Sequence, residues 1–324
     1  MAELTYRQAV AAALAQELER DPTVMLIGED IGAGGGVFKA TEGLFDRFGP
    51  SRIWDTPISE QAIVGTAMGA AMTGIRPVAE IMFSDFLACC WDGIANEIAK
   101  MRYMTGGQLT LPLVIRCANG GGVNFGAQHS QSVENWAMAV PGLKVVVPSS
   151  PADVKGLLAS AIRDPDPVLF FEHKELYPKA GEVPDGEYLL PLGDAATVRT
   201  GSDLTIASLA RTVQTAIEAA EVLKRDHGIE AEVLDMRCLV PLDVRAVLRS
   251  IERTGRLVIV EENPRPLGWG AELTSLVVEE GFDFLDGPIY RVATEAVPLP
   301  AAPNLEDIAR PTVARTVDAA LRLF

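Results

Sequence analysis

The stretch W-D-T-P-I-S-E-Q-A-I-V-G-T-A-M-G-A-A-M-T-G, residues 54–74, sets one carboxylate, Glu60, at the head of a run of small apolar residues. Read as a helix, Ile63, Val64, Ala67, Met68, Ala70, Ala71 and Met72 leave it no polar face, which predicts burial on all sides and an acid carried into the interior. An ionised carboxylate there is costly unless something pairs with it, so Glu60 needs a structural partner, a helix N-terminus or a ligand. Ser59 could cap such a helix; its positive end favours the ionised acid and burial disfavours it. Glu29 in L-I-G-E-D follows an apolar run directly, where α/β sheets place ligand groups, although a capping or solvated role explains it equally well. Phe83, Phe86 and Trp91 fall together in F-S-D-F-L-A-C-C-W. Core packing accounts for each of them, and a flat heterocycle could also stack there. The polar loop N-F-G-A-Q-H-S-Q-S holds His129 beside Gln128, Ser130 and Gln131, the best acid–base candidate in the chain. His173 and His227, beside Lys174 and Gly228, read as surface residues.

Other chemistries are disfavoured. The glycine cluster G-E-D-I-G-A-G-G-G-V-F-K invites a dinucleotide-binding reading, but from Gly32 and Gly34 the third position of G-x-G-x-x-G falls on Val37. What remains is a flexible loop at the carboxyl end of the first strand, where such loops usually border a ligand crevice, a role the glycine count does not decide, and no G-x-x-x-x-G-K-[ST] phosphate loop exists. Cys89, Cys90, Cys117 and Cys238 have no C-x-x-C spacing, and with three histidines no zinc cluster can be assembled. A net charge of −16, from 28 basic and 44 acidic residues, argues against nucleic acid or an anionic membrane as partner. The N-terminal M-A-E-L-T-Y-R-Q-A-V does not read as a signal peptide, no apolar run reaches the ~20 residues of a membrane span, and a reducing cytoplasm is expected.

The elements that must position these residues follow from periodicity. V-M-L-I-G, P-V-A-E-I-M-F, L-P-L-V-I-R, L-K-V-V-V-P and P-V-L-F-F-E are apolar runs bounded by turn residues, which predicts strands of a mainly parallel sheet. Helices are expected over 5–20, from Glu60 onward, over 85–104, and over 150–164, where Ser150 precedes Pro151. The Pro- and Gly-richer stretch 181–196 reads as a linker between a first α/β domain, 1–180, and a smaller parallel α/β domain, 197–324.

The stretches G-G-V-F-K-A-T-E-G-L, D-T-P-I-S-E-Q-A-I-V-G, R-P-V-A-E-I-M-F-S-D-F, R-Y-M-T-G-G-Q, A-Q-H-S-Q-S, P-G-L-K-V-V-V-P-S-S-P-A-D-V-K-G-L-L and V-L-D-M-R-C-L-V-P-L-D occur in this order. Together they resemble, nearly end to end, the β subunit of the thiamine-diphosphate-dependent decarboxylating component of 2-oxo acid dehydrogenases, a transketolase-like family. The resemblance implies a pyrimidine-binding domain followed by a transketolase C-terminal-like domain concerned mainly with subunit contact. Glu60 matches the glutamate that bonds the cofactor's pyrimidine nitrogen and drives its amino group to the imino base. Phe86 matches the aromatic packed on that ring, Glu29 an acid near it, and His129 a histidine associated with acyl transfer to lipoyl-lysine. The family's diphosphate and Mg2+ motif, G-D-G with a later Asn pair, is missing: P-D-G-E-Y and L-D-G-P-I-Y are the nearest fragments. The resemblance therefore implies an α subunit that supplies the Mg2+ site, an α2β2 assembly and a lipoyl acyltransferase partner. It also places a structural K+ at Ala161, Ile162, Asp164 and Asp166, the last standing where Asn is more common. Pyruvate is the favoured substrate, with acetoin or a branched-chain 2-oxo acid as alternatives. A stand-alone NAD-linked oxidoreductase, a non-catalytic assembly subunit and a stand-alone transketolase-type half are the competing readings.

Overall fold

Continuous apolar runs make the centre of the first sheet. The computed structural model describes Met1–Phe324 and divides into two units, Met1–Asn119 with Trp136–Leu192, and Gly120–Asn135 with Gly193–Phe324. The first unit contains strands β1 (Ala2–Thr5), β2 (Val24–Gly28), β3 (Ile53–Asp55), β4 (Arg76–Phe83), β5 (Val114–Asn119), β6 (Lys144–Val146), β7 (Val168–His173) and β8 (Ala180–Val183). Its helices are α1 (Tyr6–Arg20), α2 (Leu44–Phe48), α3 (Glu60–Met72), α4 (Leu87–Asp92) and α5 (Ala99–Met104); α6 (Glu134–Met138) spans the change of unit, and α7 (Pro151–Arg163) follows. Strands β6-β7-β5-β4-β2-β3 lie side by side and parallel. Every residue of β2, β5 and β7 is buried, as strands covered on both faces must be.

Local signals set the helix starts. Thr5 and Gln8 form a capping box at α1, and Ser150 Oγ accepts from Asp153 N (3.1 Å) with Pro151 at the first position of α7. The expected helix over 85–104 is broken. It begins as a 3-10 turn (Ser84–Phe86), kinks at Cys90 (φ −128°, ψ 16°) and passes through a π-helical turn (Gly93–Ile98) before α5. Such departures from regular i to i−4 bonding re-aim side chains locally.

The expected linker is ordered, and one further expectation changes. The supposed linker is packed: β8 pairs antiparallel with β1, Leu190 N donates to Gly156 O (3.2 Å), and Lys155 Nζ donates to Pro184 O and Gly186 O (2.7 and 2.8 Å). Backbone pairing and a buried lysine hold it to the first unit despite its weak periodicity. Helix α3 is not buried all round. Ile63, Val64, Ala67 and Ala71 face the core, and Gln61, Ala62, Gly65, Thr66 and Gly69 are exposed. Within this chain only one side of the helix meets β2, β4 and α4, and the small residues of the other side lie open.

The second unit holds β9 (Ala196–Arg199), β10 (Leu204–Ser208), β11 (Ala231–Asp235), β12 (Cys238–Val240), β13 (Leu257–Pro264) and β14 (Tyr290–Thr294). Helices α8 (Thr212–His227), α9 (Val244–Thr254), α10 (Trp269–Gly281), α11 (Pro303–Ala309) and α12 (Val313–Leu321) alternate with or follow them. The sheet order is β14-β13-β10-β11-β9, parallel except for β9. Its core gathers Ile206, Val233, Val258 and Val260 against Ala216, Ala220 and Leu223 of α8 and Ala320 of α12. No helix is long and apolar enough to cross a membrane.

Candidate active site

Parallel strands point their carboxyl ends the same way, and the groups singled out by type gather there in the first unit. Glu29 follows β2, Glu60 opens α3 just after β3, and Phe86 closes the turn after β4. All three side chains are half-buried. Ser59 occupies the N-cap position without a side-chain capping bond, so the first turn of α3 takes its negative charge from Glu60 itself. Burial, then the charges of Asp30 and Glu60, push the Glu29 carboxyl above its usual range. The same Glu60 charge, after burial, helps push the Cys90 thiol up to about 12, and Cys90 Sγ donates to Phe86 O (3.8 Å). Glu60 thus lies near both Glu29 and Cys90, and Cys90 in turn bonds the backbone of Phe86. Thr56, whose N donates to Gly28 O (2.9 Å), adds a buried hydroxyl that has no hydrogen-bond partner.

An aromatic column fixes Phe86. Its ring meets Phe83 edge-on (5.5 Å, 68°), Phe83 meets Phe38 (5.6 Å, 77°), and Phe38 stacks on Tyr177 (5.0 Å, 21°). Phe38 comes from the glycine loop, where Gly35 and Gly36 take positive φ (69° and 77°), and no helix opens before Leu44. That geometry is a turn that returns an aromatic to the core, not a phosphate-binding helix start. Trp91 pairs with Trp136 (6.1 Å, 77°) and leaves the expected grouping with Phe83 and Phe86, because the kink at Cys90 intervenes.

Beneath the column lies a charge network that the sequence reading missed. Arg116 of β5 donates to Glu172 of β7 through Nε (2.6 Å) and Nη2 (2.9 Å), and to Glu80 of β4 through Nη1 (2.7 Å). Tyr177 Oη donates to Glu172 (2.9 Å). Burial holds the Glu80 carboxyl above its usual range despite Arg116 beside it. The available signal was a charge of alternating sign inside three of the apolar runs, V-A-E-I-M, V-I-R-C-A and F-F-E.

His129 lies in the second unit, half-buried, on the loop Gly120–Asn135. His173 is buried, not exposed: it ends β7, and its Nδ1 accepts from Glu175 N (3.2 Å). His227 is exposed at the end of α8. At the 161–166 turn, Arg76 Nη1 donates to Ile162 O (2.6 Å) and Asp164 O (3.1 Å), and Ala161 O accepts from Asp164 N (3.3 Å). Lys144 Nζ grips the Asp164 carboxylate (2.6 and 2.7 Å), and Arg102 pairs with Asp166. The two acidic side chains are neutralised by this chain's own cations. What the turn can offer a monovalent ion is the second lone pair of each backbone carbonyl.

A parallel sheet with two acids and an edge-held aromatic at its carboxyl ends is followed by a second α/β unit, and both units match domains of transketolase-type chains. Residues 2–179 match the transketolase pyrimidine-binding domain, and residues 193–315 match the transketolase C-terminal domain. The split-gene transketolase structure described as an inactive β4 tetramer superposes with a TM-score of 0.81 at 24% identity, covering 99% of this chain and 98% of that one. The acetoin:2,6-dichlorophenolindophenol oxidoreductase β subunit of Bacillus subtilis is 45% identical over 99% of this chain and 97% of its own. The mitochondrial pyruvate dehydrogenase E1 β-2 subunit of rice is 45% identical over 99% and 86%. The chain belongs to this family of decarboxylating-component β subunits, and the lone NAD-linked oxidoreductase reading falls with that match.

Proposed function

We propose that this chain, joined to an α subunit, carries out thiamine-diphosphate-dependent decarboxylation of a 2-oxo acid, with pyruvate favoured over acetoin and branched-chain substrates, and passes the acyl group to lipoyl-lysine. The observation that carries the reading is the half-buried Glu60 at the N-terminus of α3, with Glu29 near it and Phe86 likewise at the carboxyl ends of the sheet. The cofactor supplies the electron sink for the carbon that loses CO2. Glu60 holds a proton at the pyrimidine nitrogen, where a water-poor surrounding strengthens the bond. Phe86, braced by Phe83 and Phe38, offers its ring to the flat heterocycle. Glu29 keeps its proton more readily than an ordinary glutamate, which lowers repulsion at Glu60. His129 acts as the acid–base group in acyl transfer.

The open face of α3 supports the α partner. Nothing lies within contact distance where a Cβ would stand at Gly65 or Gly69, and such a small-residue face lets a second backbone approach closely. The missing G-D-G motif supports a partner that holds the diphosphate and Mg2+, in an α2β2 arrangement served by a lipoyl acyltransferase. Carbonyls of Ala161, Ile162, Asp164 and Asp166 would hold the K+. Four free cysteines suit a reducing cytoplasm. The test is co-expression with an α-type subunit, then dye-linked turnover of pyruvate, acetoin and 3-methyl-2-oxobutanoate with thiamine diphosphate and Mg2+. Turnover that requires both chains and the cofactor is expected; association without turnover of any of the three refutes the substrate assignment.

A further inference from the structure

The His129 loop, Gly120–Asn135, has little regular structure to hold it. Gly120, Gly122, Asn124 and Gly126 all take positive φ (84°, 86°, 60° and 76°). Its internal backbone bonds include Gly120 N to Gln131 O (3.0 Å) and a long one from His129 N to Gly126 O (3.4 Å). Much of the anchoring comes from two buried acids of the second unit. Glu306 on α11, 1% exposed, accepts Gly122 N at Oε1 (2.7 Å) and Asn124 N at Oε2 (2.9 Å). Glu262 on β13, 7% exposed, accepts Gly121 N (2.5 Å) and Ser132 Oγ (3.3 Å) at Oε1, and Arg310 Nη2 donates to its other oxygen (3.3 Å). Asn263 Nδ2 donates to Ser132 O (2.9 Å).

Burying carboxylates is costly unless their lone pairs are filled; backbone N–H groups of the loop bond Glu306, and Gly121 N, the Ser132 hydroxyl and Arg310 bond Glu262. A Cβ on Gly121 would stand 2.9 Å from Glu306 Oε1 and from Leu299 Cδ1, so the loop backbone packs closely against these side-chain ends. A neutral side chain would serve a purely structural tether at lower desolvation cost; two acids straddling the loop fix its path from both ends.

We infer that Glu306 and Glu262 are positioning residues for His129, so that the second domain sets the geometry of acyl transfer and does more than hold subunits together. This rests on the reading of His129 as the acyl-transfer group. The backbone contacts themselves do not.

The experiment uses the co-expressed α-type and β chains, comparing the parent with Glu306→Gln, Glu262→Gln, His129→Ala and the control Glu279→Gln, an exposed acid on α10. Hydrogen exchange over residues 120–126 reads the tether without cofactor. Glutamine has one acceptor oxygen in place of two, so exchange in Glu306→Gln should rise about tenfold or more, as expected for losing a bond to a charged group. The ratio of lipoyl-domain-linked to dye-linked turnover reads the consequence. It should fall in His129→Ala and in both glutamine variants, with the melting temperature held near that of the control. Unchanged exchange in both glutamine variants overturns the tether. Fast exchange with an unchanged ratio, while His129→Ala lowers the ratio, overturns the positioning role. An unchanged ratio in His129→Ala overturns the acyl-transfer reading and the positioning role with it, leaving the tether to be judged by exchange alone.

Discussion

Replacing Arg116 with Met removes the cation that three strands share. Glu172 is fully buried and Glu80 nearly so, at 0% and 15% side-chain exposure, so neither carboxylate can turn to water when the guanidinium goes. Breaking a buried pair by deleting one partner costs about 3–5 kcal/mol, because the remaining charge is left uncompensated. A domain of this size loses about 2–4 °C of melting temperature per kcal/mol, so a fall of roughly 10 °C is expected. Burial already raises the folded Glu80 carboxyl, and without Arg116, whose charge holds it down, it is raised further. Stability from groups of that kind is present at low pH and lost as pH climbs through the folded value. The deficit of Arg116→Met should therefore be largest at neutral pH and shrink on acidification, and Arg116→Met with Glu172→Gln should recover part of it. Thermal melts of parent, single and double variants across the carboxylate range provide the assay. A neutral-pH loss below about 1 kcal/mol, typical of a solvated surface pair, or a deficit that widens on acidification would refute the network's structural role.

Glu60→Gln should fold normally and lose dye-linked decarboxylation by about a hundredfold or more, the low end for a positioned acid–base group; near-parent turnover sinks its assignment. Glu29→Gln removes a carboxyl whose folded value is raised by burial and by Asp30 and Glu60. Its melting temperature should match the parent at acid pH and exceed it increasingly as pH rises, and a gap of opposite slope contradicts the sign. Gly142→Ala would put a Cβ inside contact with the Ala99 carbonyl at φ 106°, so soluble yield and melting temperature should drop sharply. Exchanging K+ for Na+ should lower the melting temperature if the 161–166 carbonyls hold the ion, and identical melts in the two salts count against that site.

Much of this protein was legible in one dimension. Apolar runs bounded by turn residues located β2, β4, β6 and β7, Ser150 with Pro151 marked α7, and Glu60, Glu29 and Phe86 fell just after strand ends because turn residues close each apolar run there. What the one-dimensional pattern could not carry was any contact made across the sheet or between distant segments. The Arg116 network depends on register between β4, β5 and β7, the packed 181–192 stretch on pairing with an N-terminal strand, and the half-open state of α3 on which neighbours this chain supplies. The His129 loop is the clearest case. Its residue types announced chemistry, yet only the tertiary fold brought Glu306 and Glu262, more than a hundred positions away in the chain, onto its backbone. Periodicity reports which face of an element seeks the core, while partner choice among buried polar groups is settled by three-dimensional packing.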